Sequence, residues 1–194
     1  MSGLTGTWTE CLYKSAAVGA TVAATAETQL NTNATMGPQP IIPGGFFTAR
    51  PQSVGQALAI RARGVMSTTT GPPTFGILIR GSTSPNVITG PVWLGTSSTA
   101  AATASQTGVY WELEGTITVS IIGAATFSTI RGFGKLETAA LATPFMVVAG
   151  GAQASPWTVA SVDLTINQYL SVSCINSSAS NSITLEELEV YGIN

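Results

Sequence analysis

Residues 110–121 alternate strictly. Trp111, Leu113, Gly115, Ile117, Val119 and Ile121 share one parity; Tyr110, Glu112, Glu114, Thr116, Thr118 and Ser120 share the other. Successive side chains of a strand point to opposite faces, so this segment reads as a long, half-buried strand with one apolar and one polar face. A strand of that length favours two packed sheets over a small barrel.

The rest of the chain follows the same period. Leu58, Ile60, Ala62 and Gly64 share a face within 57–66, while Arg61 and Arg63 point the other way. Further strands are predicted over 74–80, 162–166, 170–175 and 183–191, with shorter ones over 7–13, 28–31, 39–42, 126–136 and 145–148. Ile183 and Leu185 have opposite parity to Leu188 and Val190, and a β-bulge at Glu186-Glu187 restores the phase. The Ala-rich run 16–26 contains Gly19 and four β-branched residues, so it reads as a loop or weak strand rather than a helix. Pro43-Gly44-Gly45, Gly71-Pro72-Pro73 and 176–181 are turn signals. The Ser/Thr/Ala tract 96–107 reads as an exposed, adaptable loop. Residues 1–194 are therefore expected to form a single all-β domain, a β-sandwich or jelly roll of about 8–11 antiparallel strands. Its core is expected to hold Trp111, Leu113, Ile117, Val119, Leu58, Ile60, Phe75, Ile77 and Val172.

Composition narrows the function classes. Thr, Ala, Gly and Ser make up nearly half the chain, while only 7 residues are basic and 9 acidic, so the polar faces are polar without being charged. Seven basic residues give no electrostatic footprint for nucleic acid. Positive mean hydropathy with a net charge of −2 argues against disorder and suits a surface that associates. No apolar run approaches the ~20 residues of a membrane span. No basic region followed by an apolar run opens the chain, so no signal peptide is expected.

The chain has no histidine, which removes the commonest general base and metal ligand. No phosphate loop or acidic calcium loop is present, and neither a cofactor nor a metal is expected. Glu112 and Glu114 are the best acid/base candidates, because residues two apart on a strand share a face. Arg61 and Arg63 have the same spacing on another strand, and cross-strand ion pairing is the favoured reading of all four. Glu186, Glu187 and Glu189 read as a solvated bulge or an interface rim. Cys174 has the parity of a buried free thiol, and a pairing with Cys11 stays open. Asn33-Ala34-Thr35 and Asn176-Ser177-Ser178 match the glycosylation pattern, as chance allows in so Ser/Thr-rich a chain. Trp8, Trp93 and Trp157 lie near turns or strand ends. They either cap the core or, if exposed, stack on a sugar or anchor a partner protein.

Several stretches taken in order resemble small virion structural proteins of tailed bacteriophages. They are Ile60-Arg61-Ala62-Arg63-Gly64-Val65 with the Thr-rich turn Ser67-Thr68-Thr69-Thr70-Gly71-Pro72-Pro73, then Trp111-Glu112-Leu113-Glu114-Gly115-Thr116-Ile117-Thr118. Leu170-Ser171-Val172-Ser173 and Ser178-Ala179-Ser180-Asn181-Ser182-Ile183-Thr184-Leu185 follow. The resemblance covers roughly residues 55–194. It implies a non-enzymatic jelly-roll protein of the particle, most simply a capsid decoration (cement) protein on the outer head shell, made in the host cytoplasm. The implied partners are the major capsid protein and further copies of the chain, as a homotrimer, with residues 1–7 as a docking arm. The alternative is a tail-associated or host-recognition module that binds surface carbohydrate through its loop tryptophans.

Overall fold

A computed structural model describes residues 9–47, 56–69, 74–95, 100–123, 128–141, 145–150 and 158–193. Two antiparallel sheets pack face to face. The larger contains β1 (Thr9–Ser15), β4 (Ala57–Ser67), β8 (Val109–Ile121), β9 (Ser128–Thr138), β10 (Phe145–Val148), β11 (Thr158–Val162) and β13 (Ser182–Ile193). Its order is β1-β13-β4-β8-β9-β10, and β11 shares the edge of β9 with β10. The smaller contains β2 (Thr28–Gln29), β3 (Ile41–Ile42), β5 (Thr74–Ser82), β6 (Val92–Leu94), β7 (Ala100–Ala101) and β12 (Gln168–Asn176). Its order is β2-β12-β5-β6, with β3 beside β12 and β7 beside β5. The four-strand orders β1-β13-β4-β8 and β2-β12-β5-β6 are the double Greek-key winding of a jelly roll, and β9–β11 widen one sheet.

Alternating residues supply the core. Leu58, Ile60, Ala62, Trp111, Leu113, Ile117 and Val119 from the large sheet meet Phe75, Ile77, Ile79, Leu170, Val172 and Cys174 from the small one, each at most 1% exposed. Backbone hydrogen bonds join the sheets at both sides. Gly95 and Val148 exchange bonds of 3.2 and 2.8 Å. Opposite, the segment 17–31 bonds Leu185 and Ile183 of β13 and then Val172 of β12. The Ala-rich run thus crosses from one sheet to the other, with Val22 buried.

The bulge in β13 falls at Glu186, where the register against β4 shifts between Leu185 and Glu187. Beside it, the Trp111 indole donates to the carbonyls of Thr184 (3.2 Å) and Val65 (3.3 Å). These acceptors satisfy an N–H that burial cuts off from water. Gly64 makes it possible, since a Cβ there would land on the Thr184 carbonyl.

Four expectations are corrected. The strand expected over 162–166 ends at Val162, because the Asp163 carboxylate accepts bonds from the Thr165 amide and hydroxyl and closes a turn. Buried Leu164 lies in that turn and supplied the misleading alternation. Ile121 is 56% exposed, because a register shift after Val119 turns it out of the core. The 96–107 tract is not a free loop where it is described. Ala100 and Ala101 pair with β5, Ala102 is buried, and backbone bonds tie Thr103 to Ala140 and Ser105 to Thr69. Small side chains let that backbone lie close to the sheet and use its own hydrogen bonds. A single helical turn, Asn33–Met36, also forms. Residues 1–7 and the Gly71-Pro72-Pro73 turn lie outside the described residues.

Gly64→Ala is expected to destabilise the fold by about 3 kcal/mol, since backbone rather than a pliable side chain must move. A denaturant midpoint equal to wild type would show that Gly64 is not what admits the Trp111–Thr184 bond.

Candidate functional site

Pairing register places nearly every charge of the large sheet on its outer face. One row runs straight across the strands: Lys14, Glu189, Arg61, Glu114, Lys135, then Met146. The next row is Glu187, Arg63, Glu112 and Glu137. The row on the other side is Cys11, Tyr191, Ala59, Thr116 and Phe133. Cross-strand neighbours lie close enough to interact, so a register that sets opposite charges side by side builds a ladder.

The ladder is well formed. Lys14 Nζ lies 2.5 Å from Glu189. Arg61 bonds both Glu112 (3.1 Å) and Glu114, and Arg63 bonds Glu112 (2.9 Å) and Glu187 (2.8 Å). Lys135 meets Glu137 at 3.1 Å. The expected pairing of Glu112 and Glu114 with Arg61 and Arg63 is therefore present, and Glu187 and Glu189 join it. The Arg61 hydrogen bond holds the Glu114 carboxyl below the usual range, and the Lys14 hydrogen bond does the same for Glu189. Bonds to Glu114 and Glu187, respectively, raise Arg61 and Arg63 further.

A groove of about 570 Å³ lies along the third row. Ala59 and Thr116 form its floor, Phe133, Met146 and Tyr191 its apolar walls, and Arg61, Glu114 and Lys135 its charged side. Phe133 is 53% and Met146 42% exposed. The groove was not anticipated, although the run Arg131-Gly132-Phe133-Gly134-Lys135 carries the signal: its large residues all take the outward parity, and the inward ones are glycine.

The small sheet is different, because its outer face is covered by its own polar residues. Ser171 donates to the Val87 carbonyl and accepts from Gln39, while Ser173 donates to Glu27. Arg80 grips the same carboxylate at 2.6 and 2.8 Å. Burial pushes Glu27 up, but the bonds from Arg80 and Ser173 outweigh it and leave its carboxyl below the usual range.

Trp93 is corrected as a binding candidate. Its side chain is 0% exposed and lies against Gly81, where a Cβ would strike the indole. It fills the core and offers no face to a sugar or partner. Trp8 and Trp157 lie outside the described residues. Cys11 is exposed and Cys174 buried, and both are free thiols. Burial, with the Glu27 charge behind it, pushes Cys174 up to about 12. Asn176 is 1% exposed, so that glycosylation match is closed to a modifying enzyme. Among the described residues no three His, Cys, Asp or Glu side chains converge on a metal position, and no helix is long and apolar enough to cross a membrane. Searches of protein-family models, curated proteins and solved structures find no match to the chain.

Two predictions follow from this chemistry. The native protein is expected to react with one equivalent of a thiol reagent at pH 8, through Cys11, and with a second only on unfolding; two fast thiols would place Cys174 at the surface. Carboxyls held below 4.5 in the fold contribute fully to stability above that value, and the contribution drains away as pH falls through their folded values. The thermal midpoint is therefore expected to fall progressively below about pH 4.5. Added salt should weaken this dependence for the part-exposed ladder. A midpoint unchanged down to pH 2 would contradict the depressed carboxyls.

Proposed function

We propose that this chain is a non-enzymatic structural protein of a tailed-phage particle, a decoration protein that binds the outer head shell and stabilises it. The observation that carries the reading is the ladder. Nine ionisable side chains on the outer face of the large sheet neutralise one another, so the domain has little external field although its charges are concentrated. Glu112 and Glu114, the strongest candidates for acid/base work, are each held by an arginine. A rigid sandwich with weakly charged, Thr-rich faces suits repeated contact with a shell, where many weak copies act together. The order of motifs between 55 and 194, which resembles phage jelly-roll proteins, supports the same reading. In it the protein needs no cofactor or metal, and its partners are the major capsid protein and copies of itself.

Gold-labelled antibody imaging of purified virions tests the proposal. Label spread over the head, with saturable binding of the protein to assembled shells and none to free shell subunits, is the expected result. Label confined to the tail would redirect the reading to host recognition. Absence from the particle would overturn it.

A further inference from the structure

We infer that the outer face of the large sheet docks a second copy of this chain about a two-fold axis that runs along the strands, midway between β4 and β8. The argument is charge complementarity read from the register, and it holds whether or not the protein coats a shell. Such an axis sets strand against strand in reverse order, β4 opposite β8, β13 opposite β9, and β1 opposite β10. In the central row Arg61 then faces Glu114 of the second copy, and Glu189 faces its Lys135. Lys14 lays its aliphatic stem over Met146. By symmetry each contact occurs twice, as an isologous interface requires.

Two other placements of the axis oppose like charges. An axis across the strands would set Glu189 on Glu189 and Arg61 on Arg61. Moving the axis by half a strand spacing, onto β4, would oppose Glu189 to Glu114 and Lys14 to Lys135. An axis midway between β13 and β4 also opposes opposite charges but overlaps only four strands; the central position alone overlaps all six and brings Tyr191 opposite Phe133. In the neighbouring row Arg63 faces Glu112, and the one like-charge meeting, Glu187 with Glu137, joins carboxylates that each keep a cation within 3.1 Å.

The apolar groove falls in place under the same operation. Tyr191 comes opposite Phe133 twice, at either side of the small floor of Ala59 and Thr116. The groove of about 570 Å³ has room for these rings to lean inward. Six strands at ~4.8 Å spacing and three rows about 7 Å apart give roughly 600 Å² per copy. That is about 1,200 Å² in total, the low end of specific interfaces, so the pair is expected to be reversible. A three-fold ring joins two different patches and would leave this self-complementary face unused.

The test is register-specific cross-linking of the purified full chain. Phe133→Cys and Tyr191→Cys are made separately in a Cys11→Ser background, Cys174 being buried. The two positions are three strands apart within one chain, ~14 Å. A short bis-maleimide is expected to link the two variants when they are mixed and to link neither alone, while sedimentation equilibrium of the unmodified protein shows a monomer–dimer equilibrium. Phe133→Asp, with folding checked by circular dichroism, should weaken that dimer at least about tenfold. Self-linking of Phe133→Cys, a trimer, or a monomer at millimolar concentration would each overturn the proposal.

Discussion

The register between β4 and β8 is the constraint on which the remaining structure depends. In antiparallel strands with period two, a slip of one residue exchanges the faces. Here such a slip would put Arg61 and Arg63 into the core and Leu58, Ile60 and Ala62 into water. The inner face resists it through burial, the dominant favourable term at about 25 cal/mol per Å² of apolar surface. The outer face resists it independently, because Arg61 and Arg63 find carboxylates only in this register. Each exposed pair contributes little alone. Their value is in specificity: both arginines stand opposite carboxylates in this register alone, since a slip of two residues leaves Arg63 opposite Tyr110 or Arg61 opposite Thr116.

From that pair the winding propagates outward. β13 reads the other edge of β4 and must keep both Glu187 and Glu189 on the arginine side while Ile183, Leu185, Leu188 and Val190 stay inside. A regular strand cannot satisfy both sets, so one residue is extruded at Glu186. The extrusion leaves the Thr184 carbonyl facing inward, where the Trp111 indole takes it and Gly64 leaves it room. A charge pattern on one face, a parity break in the sequence, a glycine and a buried tryptophan are thus parts of one local solution.

This explains which features could be read directly from the sequence. Long strands with one wet face were legible, because alternation records both faces at once; 110–121, 57–66 and 183–191 all formed close to where the pattern placed them, bulge included. The Arg–Glu pairing was legible for the same reason. The strand in the Ser/Thr/Ala tract was not. Ala100–Ala101 is held by backbone bonds to β5, and its side chains carry no pattern of their own. Leu164 alternated correctly yet sits in a turn, since Asp163 bonds its own backbone two residues on. Trp93 was ambiguous by position alone: only the packing of its ring on Gly81, across the strand pairing of β5 and β6, shows that it is core.

The groove was hidden for a related physical reason. Periodicity reports which side a residue faces, not what stands beside it three strands away. Phe133 and Tyr191 lie 58 positions apart in the chain and share a row only because β9, β8, β4 and β13 are neighbours in that order. The same topology brings the charges of five strands into one alternating line. Nine of the chain's sixteen Lys, Arg, Asp and Glu residues stand in that line and the row beside it, on the outer face of the large sheet, whereas the small sheet's outer face is closed by Gln39, Glu27 and Arg80. For stability alone, Thr and Ser would serve such a surface equally well, since exposed ion pairs add almost nothing. Within the sheet that alternation helps fix register; because it is also complementary to its own reverse, a second copy laid against it sets Arg61 on Glu114, Glu189 on Lys135 and Arg63 on Glu112.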